Sequence, residues 1–82
     1  MKKQTYVSYL EDENNKMVDF ERWNYKKVNT VIEKVKWLYN NYYPIYKHSL
    51  EKSKVLAIYE SPDGINTSKN PVYKIPINEL LS

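Results

Sequence analysis

Along this chain, apolar residues first alternate, then recur at helical spacing, then run together, and each pattern predicts an element. Thr5-Tyr6-Val7-Ser8-Tyr9-Leu10 is rich in β-branched and aromatic residues and reads as a strand. Glu11 to Lys16 is a polar turn in which Asn14-Asn15 can adopt positive φ. Met17 to Trp23 follows as a second strand, with Val18 and Phe20 on its buried face and Asp19 and Glu21 on the other. The two strands form a hairpin with one buried face.

Val28, Val31, Ile32, Val35, Leu38, Tyr39 and Tyr42 form one apolar stripe at helical spacing, and Tyr25 extends it backwards. The stripe predicts one long helix over about 25–42, with Asn24 as N-cap. Pro44 stops it, because proline lacks an N–H and disfavours helical geometry at Tyr43. Ile45 to Ser53 reads as a short strand or irregular loop, with a further helical turn begun by Pro44 as the alternative. Val55-Leu56-Ala57-Ile58-Tyr59 is a continuous apolar run suited to a central strand. Ser61-Pro62-Asp63-Gly64 is a tight turn. Val72-Tyr73-Lys74-Ile75 reads as a strand that Pro76 ends or confines to an edge, and Asn78 to Leu81 as a closing helical turn. The order is β-β-α-(β)-β-β, and the fold class is α+β. The expected architecture is a two-layer sandwich of one helix on a small, mainly antiparallel sheet. Its core would be Val7, Tyr9, Val18, Phe20, the helix stripe, Leu56, Ile58 and Ile75.

Eighty-two residues provide for a single domain, residues 1–82. With no Cys, disulfides and Cys-based zinc or redox sites are excluded. No apolar run approaches the roughly 18–20 residues of a membrane helix, and Met1-Lys2-Lys3 runs into polar Gln4-Thr5 instead of a leader core, so the expected location is cytoplasmic. The net charge of +3 is unevenly spread. Residues 1–21 carry −2, residues 22–56 carry +6 and residues 57–82 carry −1. A basic middle suits an acidic protein surface or phosphates, or is a solvated lysine-rich helix face.

Catalytic equipment is sparse. The single His, His48, has Ser49 and Glu51 close in sequence, but adjacent strand residues point to opposite faces, so adjacency alone builds no triad. Glu11-Asp12-Glu13 lacks the spacing and turn glycine of a calcium loop. The lone Gly64 excludes a glycine-rich phosphate loop. No enzyme activity, metal or cofactor is expected.

Trp37 stands out because it falls about 180° around the helix from Val28, among Lys26, Thr30, Glu33, Lys34, Asn40 and Asn41. An outward indole ringed by polar side chains has the character of a binding hot spot, unless residues 43–53 wrap the helix end and bury it. Trp23, where the second strand turns toward the helix, is expected to be buried at that corner. The first functional expectation is therefore a stoichiometric protein-binding module using Trp37, Lys34, Thr30, Asn41 and Lys26. Its partner would carry an acidic or nucleic-acid-binding surface. The abundance of Lys, Asn, Tyr and Ile is that of an A+T-rich genome, and small Cys-free chains of this kind are common among phage and mobile-element products. The concrete form is a small inhibitor that occludes a host protein such as a defence nuclease, in the manner of an anti-CRISPR protein. The alternative is a small nucleic-acid-binding protein in which Arg22, Lys26, Lys27, Lys34 and Lys36 contact phosphates beside stacking aromatics. A homo-oligomer paired through the Val72–Ile75 edge is a third possibility.

Overall fold

The order of elements is β-β-α-α-β-β-α in a computed structural model that describes residues 5–81. Met1 to Gln4, on which the leader reading rests, and Ser82 lie outside the described residues. Strands β1 (Thr5–Glu11) and β2 (Met17–Asn24) form the expected hairpin, followed by helices α1 (Val28–Asn41) and α2 (Tyr43–Lys52). Strands β3 (Val55–Glu60) and β4 (Tyr73–Pro76) and the short helix α3 (Ile77–Leu80) complete the chain. The protein is a small α+β domain built on a four-stranded antiparallel sheet ordered β2-β1-β3-β4. None of its described helices is long and apolar enough to cross a membrane.

Local chemistry explains the hairpin turn. The Asp12 carboxylate accepts the N–H groups of Asn14 (2.8 Å) and Lys16 (3.0 Å), and Asn15 takes φ 63°, a conformation Asn tolerates well. One face of the sheet then meets the helices. Tyr6 and Leu10 of β1, Leu56 and Ile58 of β3 and Ile75 of β4 pack with Val31, Val35 and Tyr39 of α1, Leu50 of α2, and Ile77 and Leu80 of α3.

The expected helix over 25–42 is replaced by two. Asn24 is not its N-cap: it ends β2, where its side-chain oxygen accepts from Thr5 Oγ1 at 3.2 Å. Helix α1 instead starts after Lys27, whose side chain makes no capping bond. It ends at Tyr42, whose N–H donates to the Leu38 carbonyl at 2.9 Å. Pro44 does break the ladder, but it also sits in the first turn of α2, where its missing N–H leaves no bond unmade. The strand or loop expected over Ile45 to Ser53 is therefore a helix, held to the core by Tyr43, Tyr46 and Leu50.

The hairpin's inward face also differs from expectation. Cross-strand pairing puts Tyr9 with Phe20 and Val7 with Arg22 on the face away from the helices, while Leu10–Asp19, Ser8–Glu21 and Tyr6–Trp23 look toward them. Phe20 is thus exposed rather than core, and Asp19 and Glu21 lie on the helix side. Val18 nevertheless packs against the helix-side core, because the register shifts between Leu10 and Glu11 and Val18 is the extra residue of a bulge. Val7 is buried and Tyr9 half-buried, but on the far face. There the loop from Ser61 to Val72 closes over one end of the sheet, and Arg22 donates to the Gly64 carbonyl at 2.6 Å. The Ser61–Gly64 turn forms as expected, with Gly64 N–H donating to the Ser61 carbonyl at 2.9 Å and Gly64 at φ 75°.

Candidate functional site

A groove runs between the end of β2 and the flank of α1, lined by Trp23, Tyr25, Glu33, Lys34, Trp37 and Leu38 and enclosing about 510 Å³. Its helical wall follows from the phase of the α1 stripe. With Val31, Val35 and Tyr39 turned to the sheet, Leu38 sits at the margin and Lys34 and Trp37 beyond it. Its other wall exists because β2 is an edge strand, paired with β1 on one side and with no strand among the described residues on the other.

Trp37 is 55% exposed, and its ring meets Tyr42 edge-on with centroids 5.5 Å apart. Helix α2 does not wrap over it. Asn41, also exposed, donates from Nδ2 to the Trp37 carbonyl at 2.8 Å, closing the last turn of α1. Lys34 lines the groove, Thr30 is half-buried one turn before it, and Lys26 is exposed in the connector after Tyr25. The structure therefore puts Lys34 and Trp37 together in one groove. Lys26, Thr30 and Asn41 lie outside its lining.

Trp23 is half-buried rather than enclosed at the corner. Its Nε1 donates to Ser8 Oγ at 2.9 Å, which satisfies the polar end of the indole and fixes its plane as a groove wall. Tyr25 is the other contributor that helical periodicity misplaces. Counted into the α1 stripe, it lies before the helix and lines the groove instead. The pairing of β2 with β1 is what carries both aromatics to this flank, and no local spacing encodes it.

The basic residues do not form one patch. Arg22 points to the opposite face of the sheet, where it holds the Gly64 carbonyl. Lys27 precedes α1, and Lys36 is about 200° around α1 from Lys34. Nor do His48, Ser49 and Glu51 converge. His48 is exposed on α2, Ser49 Oγ donates to Asp19 Oδ2 at 3.4 Å, and Glu51 faces Lys47 at 3.9 Å.

Beneath α1 and α2 lies a polar cluster of Ser8, Asp19, Glu21, Tyr39 and Tyr46. Burial raises the Tyr39 and Tyr46 phenols above their ordinary value, and the Glu21 and Asp19 charges push in the same direction. The far sheet face carries a separate aromatic group: Tyr9 lies 6.3 Å from Phe20 and 5.3 Å from Tyr59, and the Tyr59 hydroxyl donates to Glu11 at 3.2 Å.

No family model, curated protein or solved structure matches the chain. The geometry of the groove and its rim therefore carries the functional reading.

Proposed function

We propose that this chain is a non-enzymatic protein-binding module that acts by stoichiometric occlusion, with Trp37 as its anchor. The observation that carries the reading is the indole itself, 55% exposed beside a groove walled by a second tryptophan. Leaving a large aromatic in water is unfavourable for an isolated domain and is repaid when a partner desolvates it. Lys34 supplies positive charge in the groove beside the anchor, and Lys26 and Lys27 are exposed just after Tyr25 in the chain; such potential accelerates encounter with an acidic surface more than it adds affinity. The narrower assignment, a phage-type inhibitor that blocks a host defence nuclease, is supported by size and composition alone.

The test is affinity capture from the source cell, comparing the parent with Trp37→Ala. Complex formation should weaken by about 2 kcal/mol or more, roughly 30-fold, while the circular dichroism spectrum stays that of the parent. A Trp37→Ala variant that captures the same partner as tightly refutes the assignment. Salt-sensitive binding of DNA or RNA that survives the substitution would favour the nucleic-acid reading instead.

A further inference from the structure

The groove beside Trp37 has a chemistry that narrows what fills it, and this inference rests on that face being a docking surface. Trp23, Tyr25, Trp37 and Leu38 make its walls predominantly apolar, and 510 Å³ lies within the roughly 300–1,000 Å³ typical of ligand sites. One indole is set before any partner arrives. Trp23 is tied through Nε1 to Ser8, and Trp37 leans on Tyr42. A preset wall reduces the ordering cost of binding.

The rim adds a sign. Lys34 lines the groove, and exposed Lys26 and Lys27 directly follow Tyr25 in the chain, against the single lining carboxylate of Glu33. We propose that the groove captures one bulky apolar side chain of an acidic protein segment, whose carboxylates lie against Lys26, Lys27 and Lys34. A cationic side chain would gain from the aromatic faces and Glu33, but it would meet the Lys34 ammonium in the same space. A nucleic-acid strand needs a continuous basic track. Here the track is broken, with Arg22 on the opposite sheet face and Lys36 on another side of α1.

The chain has two tryptophans, so two indole N–H resonances report on the two walls separately. The probe is a short Glu/Ser peptide with one central phenylalanine, titrated into the full chain. Controls carry alanine for the phenylalanine or lysine for every glutamate. Both indole signals should move with the acidic peptide. Binding should weaken about tenfold or more with the alanine control and in the Lys34→Glu protein, and the lysine control should leave the signals in place. Lys34 is exposed, so spectra of the free Lys34→Glu protein should otherwise match the parent.

Silence toward the acidic peptide overturns the proposal, as does binding indifferent to the phenylalanine or to Lys34. Indole shifts that follow protein concentration alone would show a second copy as the occupant. Shifts with a short oligothymidylate but not the peptide would show single-stranded nucleic acid. Either result also overturns it. If the peptide fails while partner capture still depends on Trp37, the occlusion reading stands and only the ligand class falls. If capture is also independent of Trp37, both fall.

Discussion

In a Tyr39→Phe variant the ring keeps its place and one oxygen is removed. Tyr39 is fully buried, packed edge-on against Tyr46 at 5.1 Å, and its hydroxyl has no hydrogen-bond partner among the described residues. The Ser8 hydroxyl accepts from Trp23 Nε1 and opposes the rise of the Tyr39 phenol, but it does not meet the Tyr39 oxygen in hydrogen-bond geometry. A buried polar group left unpaired is destabilising by about 1–3 kcal/mol, and deleting it leaves a gap of only one atom. The net expectation is a gain of about 1 kcal/mol. For a domain of this size that raises the melting temperature by roughly 4–8 °C, and it moves the urea midpoint by about 1 M if the m-value is about 1 kcal/mol/M. The same substitution should change the alkaline limb. Burial first, then the charges of Glu21 and Asp19 and the neighbouring Tyr46, raise the Tyr39 phenol above its ordinary 10.0. The folded state therefore holds this proton where the unfolded chain has released it. That contribution to stability is fully present below pH 10 and is lost as pH rises from there toward the raised folded value, at up to about 1.4 kcal/mol per pH unit. Urea melts between pH 8 and 11, run on parent and variant, measure both effects. A Tyr39→Phe protein that is less stable at pH 8, or whose curve runs parallel to the parent's above pH 10, refutes the orphaned hydroxyl.

Three further outcomes follow from named contacts. Trp23→Phe removes the donor to buried Ser8 and should destabilise by about 1–3 kcal/mol, part of which returns in the Trp23→Phe/Ser8→Ala double variant. Denaturant titrations of the four proteins should give a coupling energy above about 0.5 kcal/mol. Arg22→Ala frees the Gly64 carbonyl, so amide exchange should quicken across residues 61–72, while global stability changes by about 0.5 kcal/mol or less. Trp37→Ala, at a mostly exposed ring, should alter stability by no more than about 1 kcal/mol, as read by thermal melting, so that its loss of partner capture is not a folding defect.

Where periodicity is strong, sequence and structure agree, and where it is shared between two readings they part. The α1 stripe is unambiguous because Val28, Val31, Ile32, Val35, Leu38 and Tyr39 share one face, and its phase turns Trp37 away from the sheet; Tyr42, counted into the same stripe, falls beyond the helix end and is exposed against Trp37 instead. Helix α2 was legible only faintly, since Tyr43, Tyr46 and Leu50 make a three-point stripe inside a segment that begins with Pro44 and a strand-like Ile45-Tyr46. In β1 both parities carry large apolar residues, Tyr6 and Leu10 against Val7 and Tyr9, so alternation does not tell which pair faces the helices. The bulge at Val18 compounds this, because it lets Val18 and Phe20 part company although they share a parity. Of the groove, the helical wall follows from one element's periodicity. The Trp23 and Tyr25 wall depends on how two elements meet, which no spacing along the chain records.

The loop tied to Arg22 has a bearing on the far side of the sheet. From the end of β3 it is tied to Arg22 of the edge strand β2, while Met17 and Phe20 stay exposed at the hairpin end of the same face, beside Tyr9. The tether at Gly64 thus pins the long β3–β4 connection to the edge strand on the face opposite the helices.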